Sequence, residues 1–121
     1  MLILDGHGYD EDLPRVGRLR LTPEVLRDET GSGISASVFV LGACFGASPH
    51  FLQSLEKCVD GPTVFLGCTG IARYEDVHLF DGVIDLATRL GPNPVTSALY
   101  AGMAEMFPQQ GASGWRPKLL L

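Results

Sequence analysis

The sequence predicts an α/β domain built on a small, mostly parallel sheet. Three short apolar runs, Met1 to Leu4, Val38 to Leu41 and Thr63 to Leu66, have the unbroken apolar character of strands buried on both faces, and the last two each end at a glycine. Between and after them, apolar residues recur with the 3.6-residue period of helices that cover such a sheet. Three dipeptides, Thr22-Pro23, Ser48-Pro49 and Asn93-Pro94, set a capping side chain before a proline suited to the first helical position.

Taken in chain order, the first run is a strand, and the polar stretch Tyr9 to Arg18, with Pro14 and Gly17, reads as a loop. Thr22 opens a short helix ending near Asp28. Thr30 to Ser35, with two glycines and three hydroxyl residues, is a second loop before the strand at Val38. The helix after Ser48 gathers Phe51, Leu52, Leu55, Cys58 and Val59 on one face. After the strand at Thr63, a helix gathers Val77, Phe80, Ile84, Ala87 and Leu90 before Gly91 stops it. A last helix, Pro94 to about Met106, is predicted to bury Val95, Leu99, Met103 and Met106. Pro108 to Arg116 is a turn-rich link, and Lys118 to Leu121 forms a final edge strand.

At 121 residues the chain suits one domain, 1–121, with a single core. Hydrophobic residues at 45% and charged residues at 19% describe a soluble globular protein. A net charge of −5 argues against a nucleic-acid partner, because phosphate contacts need excess positive charge. No apolar run reaches the roughly 20 residues of a membrane span, so no membrane partner is expected. Three cysteines without a CxxC fit neither a disulfide framework nor a zinc site, which points to a reducing, cytoplasmic setting. The chain begins in one strand and stops in another, and three or four strands make a narrow sheet. An added strand, from a second copy in a homodimer or from a companion segment, would complete it.

The chemistry gathers at two strand ends. Strand one runs into Asp5-Gly6-His7-Gly8 and the second into Gly42-Ala43-Cys44-Phe45-Gly46, at the carboxyl edge where open α/β sheets bind ligands. If the two strands are parallel neighbours, an imidazole and a thiol meet in one pocket. That pairing suits nucleophilic catalysis, since a free thiol with pKa near 8.5 is only a few per cent thiolate at neutral pH and an adjacent imidazole removes its proton. The N–H groups of Gly8 and Cys44 are candidate donors to a developing oxyanion. Cys58 and Cys68, the one on an apolar helix face and the other at a strand end, read as small core residues, and His50 and His78 as surface residues. Gly42 to Gly46 lacks the Lys-Ser/Thr ending of a phosphate loop.

Strand-His-Gly, then strand-Ala-Cys-x-Gly, then Thr63-Val-Phe-Leu-Gly-Cys68 followed by a helix from Tyr74 to Leu90, resembles the caspase-like (clan CD) cysteine peptidases, most nearly the bacterial CHAT domains. The resemblance covers most of the chain, the tail Trp115 to Leu121 being similar to the family's last short strand. It implies a caspase-like three-layer sandwich without the strand and helix that usually precede the His strand. It also implies an endopeptidase, with a polypeptide substrate and no cofactor, in which His7 and Cys44 are the dyad and the amides of Gly8 and Cys44 the oxyanion hole. The rival expectation is a caspase-like interaction module without turnover; a small-molecule hydrolase or nucleotide-binding α/β domain that only mimics the motif is a third. Family members choose a substrate side chain by charge near these loops. Asp10, Glu11, Asp12, Glu75 and Asp76 would favour Lys or Arg, and of these Asp10, Glu75 and Asp76 are the candidate substrate-binding residues; Arg15, Arg18, Arg20 and Arg73 would favour the opposite choice.

Overall fold

A computed structural model describes residues 1–9, 12–27, 31–108 and 114–121. In chain order the elements are β1 (Leu2–Asp5), β2 (His7–Tyr9), β3 (Asp12–Val16), β4 (Leu19–Arg20), α1 (Pro23–Leu26), β5 (Val38–Gly42), α2 (Pro49–Glu56), β6 (Thr63–Cys68), a 3-10 turn (Tyr74–Asp76), α3 (Val77–Leu90), α4 (Thr96–Met106) and β7 (Trp115–Leu120). The main sheet has the order β1-β5-β6-β7, with the first three strands parallel and β7 antiparallel to β6. All three apolar runs are therefore strands, and all six residues of β6 are buried, as a central strand requires.

Alternation along the strands divides the core in two. Val38, Val40, Val64 and Leu66 face α3 and α4 and pack with Phe80, Val83, Leu99 and Met103. Phe39, Leu41 and Phe65 face the other way, against Phe51 and Leu55 of α2 and Leu13 of β3. There Phe65 meets Phe39 and Phe51 edge-on, with centroids 5.3 and 6.0 Å apart. The sheet is thus covered on both faces, as the sequence predicts for an α/β domain.

Tyr9 to Arg18 is not a loop throughout. Among its described residues β2 and β3 pair antiparallel, and β3 pairs with β4 in a second, three-stranded sheet. Gly17, with φ +62°, turns the chain between the paired residues Val16 and Leu19, and Leu13 buries its side chain in the core. Pro14 and Gly17, which suggest a loop when read as punctuation, are a buried strand residue and a two-residue hairpin turn.

The helix starts follow expectation twice. Thr22 Oγ1 accepts from the Val25 N–H at 3.4 Å, and Ser48 Oγ from the Phe51 N–H at 3.4 Å. The first helix ends at Leu26; Asp28 lies outside the described residues. Asn93 does not cap the last helix, which begins at Thr96, with the Val95 carbonyl accepting from Ala98 and Leu99. Leu99 and Met103 are buried as expected, but Val95, which precedes the first turn, and Met106, the last residue of the helix, are exposed. On α3 the buried stripe is Phe80, Val83 and Leu86, whereas Ile84 and Leu90 are exposed. Leu86 packs directly on the backbone at Gly102, so α4 covers that side of α3 and leaves Ile84 outside it. The last strand starts at Trp115, three residues before the expected edge strand, and pairs along its whole length with β6.

Candidate active site

Pairing of β1 with β5 in parallel sets Asp5 beside Gly42 and brings the two chain segments that follow to one edge of the sheet. Beyond that edge, His7 and Cys44 line a single cavity of about 320 Å³, with Asp5, Gly42, Ala72, Arg73, Asp76, Phe80 and Trp115 among its other walls. That size lies at the low end of ligand cavities, roughly 300–1,000 Å³.

The Cys44 segment is held by the loop after β6. Phe45 N–H donates to the Gly70 carbonyl at 2.8 Å, Ala47 N–H to the Cys68 carbonyl at 2.9 Å, and Ala72 N–H to Cys44 Sγ at 3.3 Å. Phe45, directly after Cys44, has φ +53°, a left-handed conformation uncommon outside glycine and of a kind that clusters at functional sites. This turn leaves the sulfur half-buried on the cavity wall rather than in the core.

Gly8 packs on the same turn. A Cβ on Gly8 would lie 1.6 Å from the Cys44 carbonyl oxygen, so the two backbones touch only because that carbon is absent. The Cys44 N–H donates to no backbone carbonyl among the described residues. His7 is exposed, and among the described residues its ring has no hydrogen bond to Cys44 Sγ, whose partner is the Ala72 backbone. Imidazole and thiol thus line one pocket with no hydrogen bond between them among the described residues.

No family model, curated protein or solved structure matches this chain.

The remaining candidate residues lie as follows. Asp76 lines the cavity, its carboxylate accepting from the Arg73 N–H at 3.0 Å. Glu75 is exposed and is not among the lining residues; its carbonyl meets His78 Nδ1. Asp10 and Glu11 lie outside the described residues. Asp12 is engaged on the hairpin with Arg20 and Arg15, and the Arg20 guanidinium, followed by the Leu13 N–H, holds its carboxyl below the ordinary value.

Cys58 and Cys68 are buried, in keeping with a core role, and burial pushes the Cys68 thiol above its ordinary value. His50 and His78 are exposed. Among the described residues no three His, Cys, Asp or Glu side chains gather as a metal site would require, and no helix is long and apolar enough to cross a membrane.

Two contributors escape sequence reasoning. Asp5 stands at the end of β1, and strand-end position is the one signal that marks it. The Ala72 amide belongs to the loop after β6 and is brought in by strand order, which no local pattern discloses.

Proposed function

We propose that this chain is a cysteine endopeptidase of the caspase-like kind. The observation that carries the reading is that His7, which opens β2 just beyond the end of β1, and Cys44, just beyond the end of the neighbouring parallel strand β5, line one cavity. In the proposed reaction His7 accepts the Cys44 proton, and the thiolate attacks the peptide carbonyl to form a tetrahedral oxyanion. The N–H groups of Gly8 and Cys44 receive that oxyanion, and loss of one such donor costs about 2.7–4 kcal/mol of transition-state stabilisation. Collapse expels the amine, which takes its proton from His7, and leaves a thioester on Cys44. Water, deprotonated by His7, attacks the thioester and releases the acid, restoring the thiol. The steps need no metal or organic cofactor. The close backbone approach of Gly8 to Cys44 supports the oxyanion assignment, since it sets the two residues side by side.

The test is alkylation of the intact chain with iodoacetamide, followed by mass spectrometry. Cys44 should react at least about tenfold faster than a free thiol such as glutathione at neutral pH, as an activated thiolate does, and His7→Ala should abolish that advantage. Equal rates for Cys44 and glutathione, or indifference to His7→Ala, would overturn the proposal.

A second reading, an interaction module without turnover, is favoured by one observation. Among the described residues the outer edge of β1 has no strand beside it, and Met1 and Ile3 are exposed there at 49% and 37%. A strand from a second copy or a companion segment would pair along that edge. In either reading the three free cysteines fit a reducing, cytoplasmic setting.

A further inference from the structure

The Cys44 sulfur is held by both polar groups of one distant residue. The Ala72 N–H donates to Sγ at 3.3 Å, and the thiol donates to the Ala72 carbonyl at 3.8 Å. Ala72 stands 28 residues further along the chain, in the loop between β6 and the 3-10 turn. That loop is tied down on either side of the contact. Thr69 donates to the Gly114 carbonyl through its N–H at 2.8 Å and through Oγ1 at 3.0 Å. The Gly70 carbonyl accepts from the Phe45 N–H at 2.8 Å, and the Arg73 N–H donates to the Asp76 carboxylate at 3.0 Å. The Ala72 donor is therefore in place before any substrate arrives, and needs no reorganisation as charge develops on the sulfur.

We propose that the Ala72 backbone N–H is a further catalytic group of this site, holding the Cys44 sulfur as a thiolate once its proton has passed to His7. The inference rests on Cys44 being the nucleophile. Before the transfer the thiol has a proton to donate, and the Ala72 carbonyl accepts it. After the transfer the sulfur only accepts, and its bond from the N–H becomes charge-assisted, roughly twice as strong as a neutral one. The carbonyl stands farther from the sulfur than the N–H does, so attraction outweighs repulsion. Because the sulfur is half-buried, this bond replaces water that would solvate a free thiolate. Alone it leaves Cys44 level with a solvated thiol; the advantage over one comes from His7.

The test removes the N–H and nothing else. Ligation of segments 1–67 and 68–121 at Cys68 gives the full chain with L-lactic acid in place of Ala72, an ester that keeps the alanine methyl. The Ile71 carbonyl, which an ester also weakens, accepts from no backbone N–H among the described residues. At neutral pH iodoacetamide should label Cys44 about threefold more slowly in the ester chain than in the parent. One hydrogen bond to a charged group is worth about tenfold in thiolate population, and the lower nucleophilicity of a better-held thiolate cancels about half of that on a logarithmic scale. At about pH 10, above the ordinary thiol value near 8.5, both chains carry the thiolate and the deficit should disappear. Equal rates at neutral pH overturn the assignment, and so does a deficit that persists at the higher pH, which marks a misplaced sulfur. A second measurement needs no ester. In the Cys44→Ala chain the Ala72 amide, deprived of its acceptor, should exchange its hydrogen with solvent at least about tenfold faster than in the parent; unchanged exchange shows that it is not bound to the sulfur and overturns the proposal. A parent chain whose Cys44 reacts no faster than glutathione overturns the peptidase reading and with it any catalytic role for Ala72, whereas a fast parent and an equally fast ester chain remove Ala72 alone.

Discussion

Gly8 and Cys44 are in backbone contact, with the Cα of Gly8 set against the Cys44 carbonyl so closely that a Cβ would fall 1.6 Å from the oxygen. Neither backbone segment can yield without disturbing a strand end, so Gly8→Ala is expected to lower stability by about 1–3 kcal/mol, the usual range for overpacking. Urea denaturation, read from the midpoint at constant slope, checks this. A Gly8→Ala chain as stable as the parent would show that the two strand ends are not joined as described.

Adjacent turns of α3 offer a sharper contrast. Leu86 is buried against α4 and Ile84 is exposed at 43%. Leu86→Ala should cost about 2–5 kcal/mol and Ile84→Ala less than about 1 kcal/mol. The same denaturation measurement decides it, and comparable losses at the two positions would contradict the packing of α4 on α3.

The hairpin carries an acid-sensitive ion pair. Arg20 donates to Asp12 through Nε at 2.9 Å and through Nη2, and this contact, before the Leu13 N–H, lowers the Asp12 carboxyl below its ordinary 3.8. A folded-state value below the unfolded one contributes stability that is present above pH 3.8 and is lost as pH falls through the lowered folded value. Carboxyl NMR titration should find Asp12 below 3.8, and Arg20→Gln should raise its midpoint. An unmoved midpoint in that variant would remove Arg20 as the cause.

Cys68 acts at the other end of the pH scale. Burial first, then the Asp76 and Cys44 charges, raise its thiol above the ordinary 9.0. For a raised folded-state value the contribution is fully present below the unfolded pKa and falls as pH climbs past 9.0 toward the folded value. The urea midpoint of the parent should therefore drop between neutral and alkaline pH more steeply than that of Cys68→Ala. Parallel pH profiles for the two chains would refute a buried, protonated thiol at this position.

The strands were legible because burial on both faces demands unbroken apolar runs, and β5 and β6 have them. Ser48 and Thr22 were legible because a cap is a local hydrogen bond, complete within four residues. The hairpin β3–β4 was not, since Pro14 and Gly17 carry the same composition in a loop and in a strand-turn-strand, and the burial of Leu13 depends on the sheet it lies against. The buried face of α3 is likewise offset by one residue from the periodic one: periodicity defines an apolar arc, but the position of α4 decides which side of that arc is covered.

Chain chemistry alone determined the α/β class, and the two strand ends that carry His7 and Cys44, because both follow from short-range pattern. Only tertiary structure decided that those ends share a cavity, that Asp5 lies over Gly42, and that the Ala72 amide reaches the Cys44 sulfur. Each of these joins segments far apart in the chain through the register and order of parallel strands, and register is set by the packing of whole faces rather than by any residue's neighbours in sequence.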